Sequence, residues 1–346
     1  MKELRFALIG AGFWGPYHMA GYQEAGGAKC VAVYNRTRSK AEALAKRFGI
    51  PTVYDDPRTM LEREKVDFVD CITDGDTHSQ FVHLAAEFGR PVICQKPLAP
   101  SLEEAQKMVA ACHSKGVPLL VHENFRWQTP LRQLKALLDS GELGNIFRAR
   151  LMYVTSFPVY DNQPFLKKVD KFVLVDIGTH VLDVARFLFG EAKTLYCRTC
   201  QARRDILGED VATVMLGMAS GATVLCDLSY ASRTEYERFP QTYAFIEGEK
   251  GSAELCFDYW IKVTTENGTL ARRFPPPRYT WADPVYDVAH ASIVPCHANL
   301  LAALRGERPA ETTGEDNLKT LELVYGSYES AQVDATLRLS GDVAHP

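Results

Sequence analysis

Gly10-Ala11-Gly12-Phe13-Trp14-Gly15 follows directly on an apolar-leaning run at 4–9, and a second strand-like run closes at Asn35, twenty residues beyond Gly15. Strand, glycine turn, helix and strand at this spacing form a unit that binds the pyrophosphate of a dinucleotide. Gly10 permits the tight turn, Gly12 lets backbone N–H groups approach the phosphates at the helix N-terminus, and Gly15 lets that helix pack close to the strand. Phe13 and Trp14 lie inside the turn and Asn35 and Arg36 end the second strand, so all four join the glycines as candidate cofactor contacts. A merely structural glycine turn would not require the strand and helix signals that follow. The expected ligand is a nicotinamide or flavin dinucleotide.

Those signals alternate through residue 122. Strands are expected at 4–9, 30–34, 66–73, 91–94 and 118–121, with helices such as 39–48 and 101–114 between them. Continuous apolar runs such as Phe68-Val69-Asp70-Cys71-Ile72 suit parallel strands covered on both faces. Ser101-Leu102-Glu103-Glu104 is a capping box opening a helix whose Ala105, Met108, Val109 and Cys112 share one face. Residues 1–122 therefore read as a Rossmann-type doubly wound parallel sheet.

The rhythm then changes. A helix at 130–140 stops at Gly141, strand-like runs follow at 146–155, 192–202, 211–219 and 222–231, and 246–255 reads as strand, turn, strand. Helices at 293–304 and 315–331 flank a turn at 305–309, and the tail from Ser340 is expected to fray. Residues 123–346 are thus expected to form an α+β domain with a large, mostly antiparallel open sheet that binds substrate and mediates oligomerisation. A 346-residue chain suits two such domains, each with its own core.

A net charge of −4 offers no attraction to nucleic acid or an anionic membrane. No apolar run reaches the roughly 18 residues that suggest a membrane span, and 1–5 lead into the first strand rather than a signal peptide, so a cytoplasmic protein is expected. The nine cysteines are scattered, several in apolar runs, and Cys197-Arg198-Thr199-Cys200 lacks a second ligand pair, so no metal is expected.

Two further groups carry chemistry. Gln95-Lys96-Pro97 follows a parallel strand, at the end where open α/β sheets place ligands, and a lysine there suits hydrogen bonding to a substrate hydroxyl; the alternative is a solvated surface lysine. Asp176 and His180 stand four apart in a helical pattern, where a carboxylate can orient an imidazole as general base; the alternative is a structural pair.

With the glycine turn, the 73–78 segment and the 246–252 turn, these motifs resemble the Gfo/Idh/MocA oxidoreductase family along nearly the whole chain. The resemblance implies a dehydrogenase or reductase passing hydride between a sugar or polyol carbinol carbon and nicotinamide, and a homodimer or homotetramer. It makes Lys96, Asp176 and His180 catalytic, with Asp176 orienting His180, and puts Thr73, His78, Gln95 and Lys96 beside the cofactor. Gln95 stands where the family usually has glutamate, and 73–76 lacks the common Pro-Asn. His122-Glu123-Asn124-Phe125-Arg126-Trp127 mixes polar and aromatic groups suited to a polyhydroxylated ligand, which makes Asn124, Arg126 and Trp127 candidate substrate contacts. Members that are NAD-dependent glycosidases or non-catalytic dinucleotide-binding regulators are the competing readings. At the adenosine end, Asn35 removes the carboxylate that would repel a 2′-phosphate, while Arg36 and Arg38 can pair with one. NADP is favoured mildly over NAD.

Overall fold

The computed structural model describes residues 3–235 and 237–339. The tail from Ser340, expected to fray, lies outside the described residues. Six strands, β1 (Leu4–Ile9), β2 (Ala28–Tyr34), β3 (Thr52–Tyr54), β4 (Phe68–Cys71), β5 (Val92–Gln95) and β6 (Leu119–His122), form one sheet in the order β3-β2-β1-β4-β5-β6. All its pairings are parallel, and β4, β5 and β6 are buried at every residue, as their unbroken apolar runs require. Edge strand β3 went unread because three half-buried residues carry no periodicity. Helices α1 (Gly15–Ala25), α2 (Arg38–Phe48), α3 (Pro57–Arg63), α4 (Gly75–Glu87) and α5 (Leu102–Ser114) make the crossovers. The Ser101 hydroxyl caps α5 by accepting the Glu104 N–H at 3.2 Å. Strand order reverses between β1 and β4, which opens a crevice at their carboxyl ends.

The second sheet has nine strands: β7 (Ile146–Val154), β8 (Ala192–Cys200), β9 (Val211–Met218), β10 (Thr223–Ser229), β11 (Tyr243–Gly248), β12 (Gly251–Leu255), β13 (Trp260–Thr265), β14 (Gly268–Arg273) and β15 (Leu337–Arg338). Their order is β14-β13-β12-β11-β7-β10-β9-β8-β15, antiparallel except where β10 lies parallel to β7. Before and between these strands run α6 (Thr129–Asp139), α7 (Val159–Asn162), α8 (Thr179–Phe189), α9 (Asp287–Leu304) and α10 (Gly314–Val333). One sheet face, with Leu151, Val214, Leu216, Val224 and Leu228, packs on α8 residues Val181, Val184 and Ala185.

The last two helices return to the first sheet. Cys296, Leu300 and Leu301 of α9 share a core with Phe6, Leu8 and Ile93, while Leu318 and Leu321 of α10 join Val92 and Val121. Leu323 and Val324 of the same α10 enter the other sheet's core. The free edge of β6 is covered by the segment before α10: Thr312 accepts the Val121 N–H at 2.8 Å and returns its hydroxyl to the Val121 carbonyl at 2.7 Å. This double anchoring brings the carboxyl ends of β5 and β6 against α8 and α9.

Candidate active site

The glycine turn opens onto a cleft of about 190 Å³ lined by Gly10, Gly12, Asn35, Arg36, Lys40 and Thr73, among others. Gly10 has φ +112°, and a Cβ there would lie 2.8 Å from the Ile72 carbonyl oxygen, so only glycine fits. Gly12 faces open space, so a side chain there would intrude on the cleft. Gly15 departs from expectation, because a Cβ would meet Leu44 at an ordinary 3.5 Å. Asn35 does not point a free amide at a ribose: its Oδ1 accepts the Ala11 N–H at 2.9 Å and its Nδ2 donates to the Thr37 carbonyl at 2.9 Å, bracing the turn. Arg38 is held by Glu42 and Asp55, which leaves exposed Arg36 as the arginine lining the cleft. Lys40, missed in the sequence, lines it too, from the first turn of α2.

Lys96 follows β5 and stretches to α8's lead-in, where its ammonium donates to the Asp176 carbonyl at 3.0 Å and lies 3.4 Å from Asp176 Oδ1. Gln95 fixes the lysine's backbone by accepting the Lys96 N–H at 2.8 Å, and its amide donates to His18 Nε2 at 2.9 Å. His18 Nδ1 in turn donates to the buried Asp70 carboxylate at 3.0 Å. The chain Asp70, His18, Gln95 therefore braces the site from inside the sheet, a role for Gln95 that was not read from the sequence. His78 is buried, and its nitrogens lie 3.0 Å from the Pro97 and Thr73 carbonyl oxygens. It ties the loops after β4 and β5 together instead of reaching the cofactor cleft.

Asp176 sits in a π-helical turn, Leu174–Gly178, a distortion that recurs at functional sites. Its carboxylate accepts the Tyr230 hydroxyl at 2.9 Å and faces Lys96. The expected Asp176 to His180 hydrogen bond is replaced by another. His180 Nδ1 lies 2.6 Å from Oε1 of Glu123, a fully buried carboxylate just after β6, and the ring stacks on Phe125 at 3.8 Å. Asp176 has its partners in Tyr230 and Lys96, and the carboxylate bonded to the imidazole comes from the segment just after β6. Lys96 and His180, with Trp14, Gln95 and Asn124, line one small cavity of about 30 Å³. Burial and the nearby Lys96 ammonium hold the His180 pKa well below the usual imidazole value, and burial pushes Glu123 up to about 7. Glu123 was within reach of sequence reasoning, since the strand-end rule that singles out Lys96 applies equally to the first residue after β6.

The three candidate substrate contacts separate. Asn124 lines the cavity and donates its amide protons to the Ala289 carbonyl at 2.9 Å and the Ser292 hydroxyl at 2.8 Å, which leaves Oδ1 for a ligand. Arg126 is a correction: its guanidinium is buried in a bidentate pair with Asp183 at 2.8 and 2.5 Å and also meets Asp316 at 3.1 Å. Trp127 is another, since it packs in the first domain's core beneath Arg132, 4.3 Å from the ring. Among the described residues two buried groups have metal-ligand proximity, His18 with His122 and His297, and Cys71 with His78 and Cys94. In each, one histidine already has both nitrogens engaged, His18 by Asp70 and Gln95, His78 by backbone carbonyls. No helix of the described residues is long and apolar enough to cross a membrane.

This geometry has close counterparts. Residues 4–123 match the oxidoreductase family with an NAD-binding Rossmann fold, and residues 131–254 match the GFO/IDH/MocA C-terminal domain. The chain is 40% identical over 339 residues to D-apiose dehydrogenase of Paraburkholderia graminis, covering 98% of this chain and 90% of that protein. It is 38% identical over 331 residues to D-apiose dehydrogenase of Rhizobium rhizogenes, covering 96% of each. An oxidoreductase from Agrobacterium radiobacter, solved in complex with NAD+, L-tartaric acid and magnesium, superposes with a TM-score of 0.95 at 37% identity over 97% of this chain and 98% of that one. With both domain types matched in order and relatives of this identity spanning nearly its full length, the chain belongs to the Gfo/Idh/MocA family of oxidoreductases.

Proposed function

We propose that this protein is an NAD(P)-dependent dehydrogenase acting on a carbinol carbon of an aldose or polyol, with residues 1–122 holding the cofactor and 123–346 the substrate. The observation that carries this reading is the convergence of Lys96, Asp176 and His180, from two domains, beside the carboxyl end of β5. The residues fit a dinucleotide, since Gly12 faces open space in a cleft that runs past Thr73. The nicotinamide, when bound, supplies the hydride acceptor or donor. Nδ1 of His180 is engaged by Glu123, so Nε2 is the nitrogen left to take the substrate hydroxyl proton in oxidation and return it in reduction. The Lys96 ammonium, held by Asp176, polarises the reacting oxygen and stabilises negative charge developing there. Asn124 Oδ1 can accept from a neighbouring hydroxyl, and Trp14 supplies an apolar wall.

The similarity to two D-apiose dehydrogenases favours a small aldose as substrate. NADP is favoured mildly over NAD, because Arg36 and Lys40 line the cleft with no carboxylate at position 35. A homodimer or homotetramer through the outer face of the second sheet, in the cytoplasm, completes the proposal. Purified protein should reduce NADP or NAD with at least one member of a panel of aldoses and inositols. Glycoside cleavage without net reduction would indicate a glycosidase, and binding without either reaction a regulator.

A further inference from the structure

Resting on this reading, we propose that Glu123 is the positioning residue for His180: its carboxylate fixes the Nδ1–H tautomer, aims Nε2 at the cavity and supports the positive charge the ring gains with the substrate proton. Glu123, the first residue after β6, and His180 on α8 meet at 2.6 Å, a charge-assisted distance. The carboxylate is itself held, because Oε1 also accepts the Phe125 N–H at 3.0 Å and Phe125 stacks flat on the imidazole, 9° from parallel. Its other oxygen, Oε2, is buried without a hydrogen-bond partner. A buried carboxylate with one empty oxygen is costly to keep for packing alone. It is suited to an imidazole that becomes cationic during turnover.

In oxidation, with a bound oxidised nicotinamide to accept the hydride from the carbinol carbon, the hydroxyl proton would move to His180 Nε2. The ring then carries protons on both nitrogens, and the Glu123 carboxylate faces a full positive charge. Reduction reverses both transfers.

The charged and titratable groups around the pair come from every element packed on it. Lys96 follows β5, His122 ends β6, Arg126 follows Glu123, Asp176 lies in the π turn, Asp183 on α8 and Cys296 on α9. Lys96 opposes protonation of the imidazole, whereas Asp176 and Asp183 favour it. The two groups titrate as a unit, with burial holding Glu123 up to about 7. Below that pH the pair binds a second proton and the base is lost, so the oxidation rate rises as pH rises through this region.

The test is Glu123→Gln, which keeps size and an acceptor for Nδ1–H but removes the charge. Oxidation kcat should fall roughly 10²-fold, with its acid limb moved to lower pH, while KM and cofactor affinity stay near wild type. A structural role alone would lower Tm and leave the acid limb in place, and that result would overturn the inference. If the Gln variant fails to bind cofactor, Glu123→Asp, which retains the charge but draws it back from Nδ1, should show a reduced kcat, and a wild-type kcat would overturn the proposal. Proton NMR of the cofactor-free protein gives a readout independent of turnover. A downfield imidazole Nδ1–H resonance should be present in wild type, missing in His180→Asn and moved upfield in Glu123→Gln. Its absence from wild type overturns the pairing even where no sugar is turned over, whereas failure of every sugar with the resonance intact rejects only the dehydrogenase reading.

Discussion

Lys96 reaches from a strand end across the domain junction to Asp176, and this placement predicts how its loss is felt. Lys96→Ala should lower turnover roughly 10²–10⁴-fold while cofactor affinity stays near wild type, because the residues proposed to hold the pyrophosphate and adenosine lie elsewhere, in the cleft of Gly12 and Arg36. Steady-state kinetics with a direct cofactor titration checks this, and near-normal turnover would remove Lys96 from catalysis. At the cleft's other end, Arg36→Ala should weaken NADP about 10–100-fold more than NAD, since a hydrogen bond to a charged group is worth about 1.5–3 kcal/mol and NAD has no 2′-phosphate to lose it. The difference should shrink in high salt, because Arg36 is exposed. Asn35→Asp pushes the same way by repelling the phosphate, and it keeps the acceptor for the Ala11 N–H while giving up the donation to Thr37. Equal losses for both cofactors would reassign Arg36 as an adenine platform and reverse the preference to NAD.

Two contacts between packed elements carry competing costs. Gly21 lets α1 approach α9: a Cβ there would lie 2.5 Å from Ile293 Cγ2 and 3.1 Å from His297 Nδ1, both in buried side chains. Alanine in a helix interior gains about 0.8–1 kcal/mol over glycine, but overpacking a tight core costs about 1–3 kcal/mol. Gly21→Ala should therefore be net destabilising, and chemical denaturation showing a gain would refute the tight crossing. Arg126 ties the segment after β6 to α8 and α10 through Asp183 and Asp316. Arg126→Ala leaves Asp183 buried without that partner and should cost about 3–5 kcal/mol. Variants at Arg126 that raise KM with stability intact would restore it as a substrate contact.

On the scale of the whole molecule, the second sheet's outer face carries a row in which Phe245, Arg150, Leu225 and Met215 lie side by side across four strands. Phe245 and Met215 are 37% and 41% exposed, while Arg150 pairs with Asp227 at 2.5 Å. Apolar residues set among satisfied charges suit contact with a second copy of the chain. Sedimentation should show a dimer or tetramer at micromolar concentration, and Phe245→Glu with Met215→Glu should shift it towards monomer. A monomeric wild type would refute the assembly.

The glycine turn, the alternating strands of the first half and the strand-rich second half were legible in the chain, because they are local: φ at Gly10, capping at Ser101 and unbroken apolar runs are written within a few residues. Lys96 and His180 could be singled out as candidates for the same reason, one by its strand end and the other by a helical spacing. Partners were not. Asp176 and His180 are four apart, yet the shortest contact of the imidazole is to Glu123, 57 positions away, and Arg126 turns inward to Asp183 across the same separation. Local periodicity determines which face of an element is apolar and where its ends lie. Only the return of α9 and α10 onto the first sheet, which closes the domain junction, decides which carboxylate meets which cation once water is excluded and each buried charge must find a partner.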